Sequence, residues 1–206
     1  MPLDLHRFIQ LRPFLYHLTA LSNVDLIRAS GALHPAAESL TTGGAAQLLR
    51  TRRGTHEVVS VDGKRVHIRD QSPLHRGNVT LDDGWSFDDF VDHLNRHVFF
   101  WPGSVDGPIE HGRRHFQRNA AEDTVVFVLR TEAVLSANPT SVPYFCRYNS
   151  GAPRCSGGAK SPRGADTFQT ADSFPRTAGA VVEVVFNGRV SLPVGDIQTV
   201  LPRTFL

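Results

Sequence analysis

FLYHLTALSNVDLIRASGAL, residues 14–33, carries two hydrophobic periods in succession, and its reading decides the fold class. Phe14, Leu15, Tyr16 and Leu18 read as the interior of a strand, after which Leu21, Val24, Ile27 and Leu33 recur at helical spacing. A helix over 22–30 then stops at Gly31, because glycine accepts the left-handed backbone that ends helices. The anomaly is His17, an imidazole inside the first hydrophobic strand and directly ahead of a helix. A neutral imidazole donates one hydrogen bond and accepts another, which suits a hydroxyl-rich ligand such as ribose. Thr19, two residues on, points to the same face of the strand. A plain core histidine is the competing account.

Outward from this stretch, residues 33–50 predict a second helix. VVSVDGKRVHIRD alternates around Asp62-Gly63 and predicts a hairpin of strands 57–61 and 64–69. Ser86 is an N-cap with Asp88 and Asp89 in the first turn, where the helix dipole favours them, and Phe87, Phe90, Val91 and Leu94 supply the apolar face. A strand follows from His97 to Trp101, then a helix over 110–120. TVVFVLRT is a continuous apolar strand of the kind buried on both faces. Residues 138–178 are rich in Pro, Gly, Ser and Arg and show little periodicity. So long a loop is either a functional surface or a solvated one. The chain closes with a strand at 180–186, a turn at Asn187-Gly188, a short strand, and a last strand near 197–201. The sum is an α+β chain with two to four helices, forming one domain over residues 1–206.

Composition narrows the function classes. With 40% hydrophobic and 20% charged residues, the 206-residue chain can bury a core, which excludes wholesale disorder. A formal charge of +2 gives no strong polyanion signal. The basic clusters at Arg50, Arg52 and Arg53, at Lys64 and Arg65, and at Arg113, Arg114 and Arg118 read first as solvated surface. No apolar run reaches the ~18 residues of a membrane span. MPLDLHRFIQLRPF lacks a continuous apolar core and carries Asp4, Arg7 and Arg12, so the expectation is a cytoplasmic protein without membrane contact. Cys146 and Cys155 are expected as two thiols and do not have zinc spacing. His93 and His97, like His111 and His115, lie four apart with no Glu between them, and read as helix-surface histidines rather than metal ligands.

Near the C-terminus, Glu183 stands alone among Val181, Val182, Val184 and Val185. A carboxylate in such a strand is costly unless paired, functional or turned to water. Between His17 and Glu183 comes the aromatic strand HVFFWPGS. The order of strand His with Thr two on, aromatic strand and late strand Glu resembles the ADP-ribosyltransferase fold of the His–aromatic–Glu type. YHLTALSNVDLIRASGAL and VVEVVFNGRVSLPVGDIQTV are similar to the opening and the glutamate strand of the DarT-like DNA ADP-ribosyltransferases. IRDQSPL, VFFW, NSG and RGADTF resemble an uncharacterised bacterial family associated with the same fold. The middle strand departs from the DarT-like pattern, offering Phe99 and Phe100 without a Tyr and lacking its Ser-Pro-Met continuation.

The resemblance implies a split antiparallel β-sheet core with flanking helices, and NAD as substrate. It assigns Glu183 to the ribose at the reacting bond, His17 and Thr19 to the dinucleotide, Phe99 or Phe100 to stacking on nicotinamide, and Arg69 to a phosphate or the acceptor. The acceptor is expected at the 138–178 loop, with Tyr148 and Arg163 as contacts; basic residues among aromatics suit single-stranded nucleic acid, with protein as the other acceptor class. A toxin with a neutralising antitoxin partner belongs to the same implication. An NAD glycohydrolase, or a non-catalytic nucleotide- or nucleic-acid-binding module on the same fold, are the alternatives.

Overall fold

In the computed structural model, which describes residues 2–82, 84–193, 195 and 197–205, the opening stretch forms strand β1 (Phe14–Ala20). It is preceded by helix α1 (Leu5–Leu11), where the Asp4 carboxylate accepts from the Arg7 N–H at 2.9 Å. A 3-10 turn leads into α2 (Val24–Ser30), and Gly31 ends it with φ 63°. Strand β2 (Ala32–Leu33) and α3 (Ala36–Thr42) follow, so the expected 33–50 helix occupies only part of its span. The hairpin β3 (Glu57–Val61) and β4 (Lys64–Ile68) turns at Asp62 and Gly63, φ 50° and 75°, the positive pair that a tight hairpin turn needs.

After β5 (Val79–Leu81) comes α4 (Phe87–Asn95), with a reciprocal cap: the Ser86 hydroxyl accepts from the Asp89 N–H, and the Asp89 carboxylate accepts from the Ser86 N–H. Strands β6 (His97–Ser104) and β7 (Gly107–Pro108) precede α5 (Glu110–Arg118). Then come β8 (Thr124–Arg130) and α6 (Thr131–Ala137). The region expected to be irregular holds two short strands, β9 (Pro143–Cys146) and β10 (Ser161–Arg163). The chain ends with β11 (Glu183–Asn187), β12 (Val190–Ser191) and β13 (Gln198–Val200). With six α-helices among the described residues the chain is α+β, and more helical than its sequence predicts. None of these helices is long and apolar enough to cross a membrane. Both cysteines are free thiols, Cys146 buried and Cys155 exposed.

The main sheet runs β13-β8-β1-β6-β11-β9, with β7 beside β6, and every pairing in it is antiparallel. β6 serves two neighbours in turn. Its first half, His97 to Phe100, pairs with β11. From Trp101 to Gly103 it pairs with β1, the last pair being Tyr16 with Trp101. Beyond that point β1 stays paired to β8 along its whole length but leaves β6, and the sheet splits.

The alternation of a strand assigns the two faces. Leu15, Phe100, Val125, Phe127, Leu129, Val184 and Phe186 enter one core with Phe8, Val24, Ile27 and Val134 from the helices. Tyr16, Leu18, Trp101, Val126 and Val128 pack on Phe116 of α5. Further along the second face, Val185 and the partly buried Phe99 meet Phe90, Val91 and Leu94 of α4.

Candidate functional site

The split in the sheet is where His17 lies. Its Nδ1 is 2.9 Å from the Phe99 carbonyl oxygen, across the gap that opens after Tyr16. A carbonyl only accepts, so Nδ1 carries the proton. Burial lowers the imidazole's affinity for a second proton, outweighing the carbonyl bond. The neutral ring therefore keeps Nε2 as a free acceptor. Thr19 is buried, and its hydroxyl accepts from Asn23 Nδ2 at 3.3 Å. Asn23 in turn bonds both backbone groups of His67, tying the β3–β4 hairpin to the end of β1.

Glu183 opens β11 opposite Cys146 of β9. By strand alternation it shares a face with Val185, the register partner of Phe99. The side chain is 3% exposed, and its Oε2 accepts from the Ser150 N–H at 3.2 Å. Burial pushes the carboxyl up to about 7, against the opposing pull of the Ser150 hydroxyl and amide and of the Arg163 charge. Cys146, beside it, is pushed up by burial and by Glu183 and stays a thiol.

His17, Thr19, Arg69, Phe99 and Glu183 all line one cleft of about 570 Å³, the size of ordinary small-ligand sites. The far ends of the chain thus meet because β6 bridges both strands. Phe100 is corrected: it is 1% exposed on the opposite face, packed on Phe186 and tilted against the His17 ring, so of the two only Phe99 lines the cleft. Arg69 lines the cleft with its charge engaged, Nη1 on Glu122 and Nη2 on Asn119, each at 2.6 Å.

Arg163 is largely engaged within the fold. It is 3% exposed and donates to the backbone carbonyls of Ser150, Asn149 and Pro162, with its guanidinium 3.9 Å over the Tyr148 ring. It shapes the 149–150 turn that holds Glu183 while also lining a second cavity. Tyr148 and Arg163 border a second cavity of about 350 Å³, which shares Pro73, His115, Arg118, Asn149 and Ala152 with the first. His111, Arg114, Arg118 and Arg154 line it, with no carboxylate among its described lining residues.

Of the four paired histidines, His97 is buried, His93 and His115 are partly buried, and only His111 lies at the surface as expected. His97 is buried, lines the cleft, and donates through Nδ1 to the His93 carbonyl at 2.6 Å. His93 stacks on Phe168 at 5.0 Å and is held down to about 4, chiefly by burial. His115 packs on Trp101 and is likewise held down to about 4 by burial, while His111 alone of the four is exposed. No group of three or more His, Cys, Asp or Glu among the described residues could hold a metal ion.

Sequence reasoning missed Arg53 and Asn95. Arg53, placed in a surface cluster by its neighbours, is 5% exposed and lines the cleft; Asn95, at the end of α4, is 2% exposed beside it.

The model of one family, described as a family of unknown function, matches residues 13–194. The chain belongs to this family, DUF7002. The DUF7002 match spans β1 through β12 and so contains every cleft residue discussed above. No curated protein and no solved structure matches the chain.

Proposed function

We propose that the cleft binds NAD and that the protein is an ADP-ribosyltransferase, its split sheet an ADP-ribosyltransferase-like core. The observation that carries this reading is the meeting of His17 and Glu183 in one cleft at the split of the sheet. His17 Nε2 accepts from a ribose hydroxyl, with Thr19 behind it. Phe99 stacks on the nicotinamide, adding about 0.5–1.5 kcal/mol beyond its burial. Glu183 accepts from the 2′-hydroxyl of the ribose at the reacting bond. The C–N bond breaks with its electron pair leaving on nicotinamide, and positive charge develops on the ribose. An ionised Glu183 in a water-poor site stabilises that charge. The acceptor nucleophile then bonds to the same ribose carbon and gives up its proton to solvent.

Nucleic acid is the favoured acceptor. The second cavity joins the cleft and presents Arg114, Arg118 and Arg154 beside Tyr148, the combination of charge and aromatic face that suits single strands. The test incubates labelled NAD with separate pools of single-stranded DNA, duplex DNA, RNA and protein, alongside Glu183→Gln. Label on a nucleic-acid pool, lost in the variant, is the expected result. Free ADP-ribose with no labelled pool makes the enzyme a glycohydrolase. Absence of nicotinamide release by folded protein defeats the reading.

A further inference from the structure

Arg53 is a buried cation whose charge no described residue neutralises at contact distance. It is 5% exposed, and no carboxylate among the described residues forms an ion pair with it. Glu57 and Asp70 act on it only from farther away, and burial holds the guanidinium down to about 10. Its bonded partners are neutral: Nε donates to the Arg69 carbonyl at 3.1 Å, and Nη1 to Asn95 Oδ1 at 2.9 Å. Nη2 has no protein partner among the described residues. The other cations of the cleft differ. Arg69 is paired with Glu122, Arg189 with Glu38, and Arg118 is exposed. Arg163, the second buried guanidinium, spends its donors on three backbone carbonyls and lies over an aromatic ring, with Glu183 in its field.

The surroundings of Arg53 hold it rigidly in place. Its backbone N–H donates to Gln71 Oε1 and its carbonyl accepts from the Gln71 N–H. Gln71 Nε2 donates to the same Asn95 oxygen that receives Arg53 Nη1, and Asn95 Nδ2 is anchored on the Leu49 carbonyl. Arg53, Gln71 and Asn95 all line the cleft. A buried charge without a counter-ion is expensive, and a guanidinium with a free amino edge matches an oxyanion.

We propose that Arg53 is the phosphate-binding residue of the cleft, taking an oxygen of the ligand's pyrophosphate on Nη2. This rests on the reading of the cleft as a nucleotide site, and it relocates the phosphate contact from Arg69, whose donors Glu122 and Asn119 already occupy. The ligand's negative charge supplies the counter-ion that the fold omits, while Asn95 and Gln71 fix the guanidinium so that little order is lost on binding.

The test is calorimetric titration of the full chain with inorganic pyrophosphate, ADP-ribose and uncharged adenosine at one ionic strength, for wild type, Arg53→Gln and Arg53→Lys. Pyrophosphate and ADP-ribose are expected to bind wild type and to weaken at least tenfold in Arg53→Gln. Adenosine should weaken less than threefold, and Arg53→Lys should fall between. Equal pyrophosphate affinity in wild type and folded Arg53→Gln overturns the proposal. Should Arg53→Gln not fold, the Arg53 side-chain ¹⁵N resonance of wild type decides: displacement by pyrophosphate supports the assignment, and its absence at saturation overturns it. Pyrophosphate binding through Arg53 without NAD cleavage keeps this inference while defeating the transferase; NAD cleavage indifferent to Arg53→Gln does the reverse.

Discussion

Glu183→Gln is expected to stabilise the protein, and to do so only at higher pH. The carboxyl is buried, and its pKa moves from 4.5 in an exposed chain to about 7 in the fold. Between those values the unfolded chain has lost its proton while the native state holds it. Wild-type stability therefore falls as pH rises from 4.5 towards 7 and levels off above, because the native state binds more protons than the unfolded one. At 1.36 kcal/mol per pKa unit, the penalty at pH 8 is about 3 kcal/mol. Glutamine is nearly isosteric, keeps an oxygen for the Ser150 N–H, and carries no charge at any of these pH values. Urea unfolding of both proteins at pH 5 and pH 8 measures the difference of differences, in which all other titrating groups cancel. Because nearly 1 kcal/mol of that penalty is already present at pH 5, Glu183→Gln should gain about 2.5 kcal/mol on wild type between the two pH values, roughly 5–10 °C in Tm for a chain of this size. A difference that does not change with pH, or one favouring wild type at pH 8, refutes the assignment of a buried, uncompensated carboxyl. A residue retained at such a cost to stability is one the fold keeps for another purpose, and the same variant is the one expected to abolish NAD cleavage.

Nicotinamide release by wild type should rise with pH through about 7 as Glu183 ionises, measured as kcat across pH 5.5–8.5; a flat profile contradicts the role given to the carboxylate. His17→Ala should weaken NAD binding about tenfold, the value of one net hydrogen bond, and cost about 1–3 kcal/mol in stability by orphaning the Phe99 carbonyl, read by calorimetry and by urea unfolding. Gly112→Ala should destabilise by about 1–3 kcal/mol despite alanine's better helix propensity, since a Cβ there would lie 2.8 Å from Pro108 and 2.9 Å from Trp101, where α5 docks on β6. Ser86→Ala should cost about 1 kcal/mol through loss of the α4 cap, with cleft ligand affinity unchanged.

What the sequence made legible was whatever a local period or a turn residue encodes. β1, the β3–β4 hairpin, the capped α4 and β8 follow their patterns closely, since each is fixed by neighbours within a few residues. α1 and α6 are as short as α2 but lack its glycine stop, and they hold through packing of Phe8 and Val134 into the core. The site divides along the same line. His17 and Glu183 announced themselves as polar groups in apolar strands, a conflict visible locally. Their meeting was not local: it depends on β6 passing from β11 to β1, a handover that no spacing within either strand encodes. Arg53 lay furthest out of sight. Its sequence neighbours are exposed or half-exposed arginines, and only the joining of α4, the 46–53 segment and Gln71 turns it inward. Phe99 and Phe100 could not be told apart as ligand contacts while the face of β6 was unassigned; the register Val185 with Phe99 and Val184 with Phe100 assigns it. Such a site leaves two buried groups of opposite sign uncompensated at contact distance, Glu183 and Arg53, in one cleft. Pairing the two directly would have stabilised the empty protein. Held apart, they suit the proposed nucleotide, which carries negative charge on its pyrophosphate and would develop positive charge on its ribose.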